Sequence, residues 1–250
     1  MVHNRYDELE APLRNGTLFI ADCDGGVDAR YKGNADLVIT TNRDIEADLL
    51  FELQALERVA LDVLAAHGPN PRSVQRMGAA ALELASRLAV SLGLLQTTAI
   101  TLGLPTRVID AGSGGRRRFR LADVAGIDAR LAGGVAPSVA ELASEVGPLV
   151  GWTPAQKARI VGSARGVGQT RCTEHRTQHC LICLRRTQCN GHHLVDAISI
   201  VLSARHGARI GSVELNRALR VAADRSQLGS WGVVRRARAW EAGSGMKVIA

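Results

Sequence analysis

Residues 17–26 read TLFIADCDGG, and this stretch decides the fold that we expect. Residues 17–21 form a short apolar run typical of a buried strand, and the two glycines that end the stretch are typical of a turn. Open α/β sheets place their active sites at the carboxyl ends of strands, and Mg²⁺ prefers carboxylate oxygens as ligands. We therefore predict that Asp22 and Asp24 hold a divalent cation, with a plain turn as the structural alternative.

A second apolar run, residues 36–41 (DLVITT), predicts a second short strand. Residues 44–66 follow it with helical spacing, so Asp44 and Glu46 lie in the first turn of a predicted helix. Acidic residues in a first turn complement the helix dipole, which is the structural explanation for them. The functional alternative is that both assist the metal site, because the carboxyl ends of neighbouring strands meet at one edge of a sheet.

Length and composition favour a globular protein. The 250 residues are 46% hydrophobic and can bury a core, whereas only 3% are aromatic. No apolar run reaches transmembrane length, and the polar start MVHNRYDELE is not a signal peptide, so we expect a cytoplasmic protein without a membrane partner.

The charge is unevenly distributed along the chain. Residues 1–60 hold 6 Lys or Arg and 12 Asp or Glu, and the remaining chain holds 25 and 12. An acidic segment joined to a basic body favours an enzyme that acts on a polyanion, although a general enrichment in arginine gives the same bias.

Helix signals dominate the second half of the chain. Ser138 and Glu141 form a capping box, and Pro154 is typical of a first helical position. An apolar stretch that starts near Leu194 predicts a helix ending at Gly207. Between the two halves, residues 111–120 (AGSGGRRRFR) are rich in glycine and arginine, and they indicate either a phosphate-contacting loop or a solvated hairpin tip.

Residues 172–193 form a loop rich in cysteine and histidine. Cys180 and Cys183 have the Cys-x-x-Cys spacing of a zinc knuckle, and cytoplasmic thiols are normally reduced. We predict a structural zinc site, and incidental surface cysteines are the alternative. The four predicted ligands are Cys172, Cys180, Cys183 and Cys189, with His175 or His179 as substitute ligands.

Three blocks, IADCDGG, VITTNRDIEADL and CNGHHLVDAISIVL, together resemble the TOPRIM-like nuclease family of bacterial anti-phage defence systems, which includes the PARIS-type effector. In that family a strand ends in Asp-x-Asp, a second strand leads into an acidic segment, and a late Gly-His-Asp motif opens a helix. By position, Asp22 and Asp24 match the first motif, and Asp44 and Glu46 match the second.

The late motif matches with one departure. Gly191 and His192 agree with the family, while His193 stands where the family has Asp. The family also uses a Glu on an earlier strand, and the residues before Thr17 do not read as a strand. We therefore expect this chain to be an N-terminally truncated member, with a wrongly assigned start or an inactive relative as the alternatives.

The resemblance implies an α/β fold with a TOPRIM-like small parallel sheet core over residues 1–110 and a mainly helical elaboration over residues 111–250. It implies Mg²⁺- or Mn²⁺-dependent cleavage of nucleic-acid phosphodiesters, together with a partner ATPase. In that interpretation His192 acts as a general acid or orients a phosphate, and a polar contact at the helix N-terminus is the structural alternative. Asp22, Asp24, Asp44 and Glu46 supply the metal site.

Two other functions are consistent with the same residues. One is a non-catalytic, zinc-stabilised module that binds nucleic acid. The other is a haloacid-dehalogenase-like phosphatase with Asp22 as nucleophile and Asp24 as acid/base, because LFIADCDGG and LVITTN resemble two motifs of that family. The short spacing between those motifs leaves little room for the usual intervening helix.

Overall fold

The computed structural model describes residues 18–21, 36–66, 68, 70–109, 115–117, 119–169, 181–223 and 228–247. Two short strand pairs occur among them. Strands β1 (Phe19–Ala21) and β2 (Leu37–Ile39) are parallel, and β3 (Val108–Ile109) and β4 (Arg116–Arg117) are antiparallel. A 3₁₀ turn spans Leu121–Asp123.

Helices make up most of the described chain. Their bounds are α1 Ile45–Phe51, α2 Ala55–Val63, α3 Pro71–Thr101, α4 Ile127–Ala132, α5 Val139–Val150, α6 Pro154–Gln169, α7 Leu181–Gln188, α8 Gly191–His206, α9 Ser212–Ala222 and α10 Gly232–Ser244.

The prediction of an α/β fold with a small parallel sheet core is wrong, because helices form the core of the described chain. The predicted strands β1 and β2 do pair in parallel, but each has three residues and they join no other described strand. A two-stranded pair buries too little apolar surface to support a core of its own. Most of the buried apolar side chains instead lie on helices.

Helix α3 is the central element of the fold. It packs against α2, α5, α6, α7 and α8, and its buried residues lie on several faces. By length and composition it could cross a membrane, but 67% of its most apolar stretch is buried inside the protein. A helix that is apolar nearly all round is typical of the centre of a helical core.

Two glycines of α3 allow neighbouring elements to approach closely. A Cβ on Gly78 would lie 2.8 Å from the Cβ of Ala60 in α2. A Cβ on Gly93 would overlap the backbone carbonyl of Gln188, the last residue of α7. At this second contact the end of α7 packs directly against α3, immediately before the chain enters α8.

The helix predicted over residues 44–66 is interrupted in the structure. Helix α1 ends at Phe51 and α2 begins at Ala55, because Gln54 adopts a left-handed conformation with φ of 49°. Such a conformation is uncommon for a residue with a side chain and breaks the helical hydrogen bonding. On either side of the break, α1 packs on α8 and α9, whereas α2 packs on α3 and α9.

Candidate functional site

The acidic segment after β2 meets the start of α8 at a single carboxylate. Asp44 is the N-cap of α1, and its Oδ1 accepts the backbone N–H of Ala47 at 2.9 Å. Its Oδ2 accepts the backbone N–H of Gly191 at 2.7 Å. Asp44 is buried, so both hydrogen bonds are protected from water. The second and third sequence blocks, 147 residues apart, therefore touch each other.

The glycine at the start of α8 is required by this contact. A Cβ on Gly191 would overlap Oδ1 of Asp44 and Cβ of Glu46, and it would lie 2.8 Å from the backbone nitrogen of Ala47. Only glycine lets the backbone of α8 come this close to the first turn of α1.

Glu46, in the first turn of α1, is buried at the contact with α9. Its Oε1 accepts hydrogen bonds from Arg220 Nη2 at 2.8 Å and from Asn216 Nδ2 at 3.4 Å. Burial works to raise the pKa of Glu46, but these hydrogen bonds and the charge of His192 outweigh it and leave the pKa below its usual value. Glu46 is therefore ionised and lies within electrostatic reach of His192.

Asp48 is a third buried carboxylate, and no motif in the sequence marks it as a site residue. It accepts hydrogen bonds from the backbone N–H and the Nδ2 of Asn42 at 2.7 and 2.8 Å, and from the backbone N–H of Thr41 at 3.2 Å. A fourth comes from Trp231 Nε1 at 3.0 Å. Burial raises the pKa of Asp48 in spite of these donors. Asp48 thus holds the turn after β2 to the start of α10.

The sheet edge that was predicted to hold the metal lies only partly within the described residues. In the parallel pair Ala21 lies opposite Ile39, so β1 and β2 end at the same level. Asp22 follows Ala21 in the chain, but Asp22 and Asp24 lie outside the described residues. The roles of Asp22, Asp24, Asp44 and Glu46 as metal ligands stay predictions.

A pocket of about 500 Å³ opens beside the N-terminus of α8. Arg107, before β3, and Arg120, at the 3₁₀ turn, supply positive charge to its wall. His192 and Asp196, one helical turn apart on α8, line it as well. Sequence reasoning identified His192 but not the pocket, because the lining comes from segments far apart in the chain.

His193 also lines this pocket and is 8% exposed. Its ring meets the ring of Phe119 edge-on, with centroids 5.9 Å apart. Its Nδ1 is buried and has no hydrogen-bond partner among the described residues. Burial, with the nearby charges of Arg43 and His192, lowers the pKa of His193 to about 4, so the imidazole is neutral at pH 7.

The first backbone N–H groups of α8 already have acceptors within the protein. Asn190 is the N-cap, and its Oδ1 accepts from the backbone N–H of His192 at 3.0 Å and of His193 at 3.4 Å. Asp44 accepts the N–H of Gly191. An anion in the pocket would therefore be held by side chains, with the helix dipole as a supporting field.

The described part of the arginine-rich stretch contributes strand β4, and the choice between a phosphate-contacting loop and a solvated hairpin tip stays a prediction. Strands β3 and β4 pair, and Arg117 donates two hydrogen bonds to Asp123, at 2.8 and 2.6 Å. Arg120 instead lines the pocket. Residues 110–114 and 118 lie outside the described residues.

The predicted zinc site is described at two of its four cysteines, since Cys172 and Cys180 lie outside the described residues. Cys183 lies on α7. Cys189 is buried, its Sγ lies 3.7 Å from the carbonyl oxygen of Ser86, and burial raises its pKa to about 12. The described residues contain no group of three side chains suited to hold a metal ion. Zinc binding stays a prediction.

Comparison with known proteins identifies no relative: no family model, curated protein or solved structure matches the chain. The resemblance to TOPRIM-like nucleases therefore stays a prediction. Function has to be argued from the chain's own residues.

Proposed function

We propose that this protein is a metal-dependent nuclease that hydrolyses nucleic-acid phosphodiesters. The observation that carries the proposal is the hydrogen bond between Asp44 and the backbone N–H of Gly191. This hydrogen bond joins two of the three sequence blocks that resemble the TOPRIM-like family, at a point directly after β2. The first block begins within β1, at Ile20, and β1 pairs with β2 in parallel and ends one residue before Asp22.

Asp22 and Asp24 are the carboxylates that would hold Mg²⁺ or Mn²⁺ in this proposal. The bound metal would polarise the phosphate and lower the pKa of the attacking water. Both carboxylate oxygens of Asp44 already accept backbone N–H groups, so Asp44 fits a positioning role better than a ligand role. Glu46 has one oxygen engaged by Arg220.

His192 is the residue that we propose for proton transfer or phosphate orientation. Its side chain is exposed, lines the pocket and lies near the ionised Glu46. Arg107 and Arg120 supply positive charge beside it, which suits a polyanionic substrate. A partner ATPase and a role in phage defence rest on the family resemblance alone.

The test is incubation of the purified chain with labelled DNA and RNA, with and without Mg²⁺ or Mn²⁺. We expect metal-dependent cutting that Asp22→Asn and Asp24→Asn abolish. The control is Asp128→Asn, which removes an exposed carboxylate in the first turn of α4 and should cut like the wild type. Cutting that survives both Asp22→Asn and Asp24→Asn would remove the proposed site.

A second candidate is a module that binds nucleic acid without cutting it. The observation that favours it is that Asp44 and Glu46 are committed to partners within the protein. Phosphate contacts release counterions, so binding should weaken steeply as salt rises. Salt-sensitive binding with no cutting in either metal would favour this candidate over the nuclease.

A further inference from the structure

The pocket beside α8 has a composition that a general basic surface does not explain. It combines two arginines with a carboxylate, an aromatic ring and a buried neutral imidazole. The helix N-terminus alone would not make a site, since its N–H groups are capped. His193 is the independent observation, because its buried Nδ1 lacks a partner among the described residues. A buried polar atom without a partner costs free energy that a ligand or water can recover.

We propose that this pocket binds one nucleoside phosphate, either a free nucleotide or one nucleotide of a nucleic-acid strand. The free-nucleotide form is independent of the proposed nuclease, whereas the strand form rests on it.

The phosphate would be bound by the arginines. The exposed Arg107 has no hydrogen bond or salt bridge to another described residue, so its guanidinium is available to an anion. Arg120 reaches the pocket from a different segment, and the two can approach a phosphate from separate directions. Guanidinium groups match phosphate oxygens with two parallel hydrogen bonds. His192, at the positive end of the α8 dipole, adds a third donor.

The sugar and the base would be bound by the remaining lining. Asp196 would repel a phosphate, but it can accept hydrogen bonds from sugar hydroxyls. Phe119 and the exposed Ile100 offer apolar surface for a base. Gln96 and Asn190, with their amide groups, can bond to the edge of the base.

The size of the pocket supports a nucleotide over a smaller anion. About 500 Å³ lies within the range of small-molecule sites, and a single phosphate ion would leave most of it unfilled. An apolar ligand of that size would leave the arginines and Asp196 without partners. A nucleoside phosphate satisfies both the charged and the apolar parts of the lining.

The first experiment is isothermal titration of the intact protein with AMP, GMP, CMP and UMP in EDTA, where no metal-dependent cutting occurs. We expect at least one monophosphate to bind with 1:1 stoichiometry, and its nucleoside and inorganic phosphate to bind about tenfold more weakly or not at all. Arg107→Ala and Arg120→Ala should each weaken binding by about tenfold. Arg159→Ala, which changes an exposed arginine of α6, is the matched control and should bind like the wild type.

A competition arm separates the two sources of the ligand. A short single-stranded oligonucleotide that displaces the monophosphate and binds more tightly assigns the pocket to a strand, and failure to displace it assigns the pocket to a free nucleotide. No binding of any monophosphate or oligonucleotide overturns the proposal, as does unchanged affinity in both arginine variants. These titrations use EDTA, so they measure binding separately from cutting. If the protein cuts nucleic acid in the presence of metal but binds no nucleotide in EDTA, the proposed nucleotide pocket is refuted and the proposed nuclease activity is not.

Discussion

Asp44 and Gly191, 147 residues apart in the chain, join the starts of two helices: the carboxylate of Asp44 accepts the N–H that opens α8 while it caps its own helix α1. A carboxylate has two acceptor oxygens and no donor, so it can satisfy both N–H groups at once. The positive ends of two helix dipoles also face this single negative charge. Asp44 therefore sets how the start of α8 sits against α1.

Asp44→Asn is expected to lower the free energy of unfolding by about 1–3 kcal/mol. The amide keeps one acceptor oxygen and places an NH₂ donor against the second buried N–H. Urea unfolding measures the change. Asp128→Asn, in the exposed first turn of α4, is the control and should have little effect. Equal stability of the wild type and Asp44→Asn would show that the bridge contributes nothing.

Gly191→Ala is expected to destabilise the protein by about 1–3 kcal/mol, because the added methyl overlaps Asp44 and Glu46. Gly162→Ala in α6 is the matched control: its Cβ meets nothing within 4 Å, so alanine should stabilise that helix slightly. Thermal unfolding of both variants measures the contrast. Similar melting temperatures for the two would contradict the close approach of α8 to α1.

Stability should depend on pH through His193. An unfolded histidine has a pKa near 6.5, whereas the folded pKa is about 4. Between these values the unfolded state binds more protons, so stability falls as pH falls, by about 3 kcal/mol in total at the acid end. Above the unfolded pKa the residue is neutral in both states and adds no pH dependence.

Urea unfolding between pH 4 and pH 7 checks this slope. His193→Gln, which cannot titrate, should be flatter than the wild type across that window. His192→Gln changes the exposed neighbour and should retain most of the slope. The same slope in wild type and His193→Gln would show that His193 is not held neutral by the fold.

Trp231→Phe should lower stability by about 1–3 kcal/mol, because it removes one of the donors to the fully buried Asp48. Trp240→Phe is the comparison. Its Nε1 donates to Asp36 at 2.7 Å, but Asp36 is partly exposed and water can replace the donor. Chemical unfolding should therefore rank Trp231→Phe as the more damaging change, and the reverse order would contradict the role given to Asp48.

Features set by a few adjacent residues were predictable from the sequence. The capping box of Ser138 and Glu141 is confirmed, as are the helix that starts at Pro154 and the one that ends before Gly207. The parallel pairing of β1 with β2 also agrees with two neighbouring short strands. Each of these features depends only on neighbouring residues of the backbone or on the pairing of two short strands.

The fold class depended on longer-range packing and was predicted wrongly. The two apolar runs before residue 42 indicated a sheet, but the extent of α3 and its buried residues on several faces are what determine a helical core. The burial of Asp48 likewise involves Trp231, which lies far along the chain. The pocket was missed for the same reason, since Arg107, Arg120 and His192 come together only in the folded molecule.

We propose above that phosphodiester cleavage occurs where the segment after β2 meets α8. The most direct measurement is the rate of Mg²⁺-dependent cutting at saturating nucleic acid by the wild type, His192→Gln and the control Arg159→Ala. We predict measurable cutting by the wild type, a loss of roughly 100-fold or more in His192→Gln, and no change in the control. No cutting by the wild type, or wild-type rates in His192→Gln, would contradict the claim.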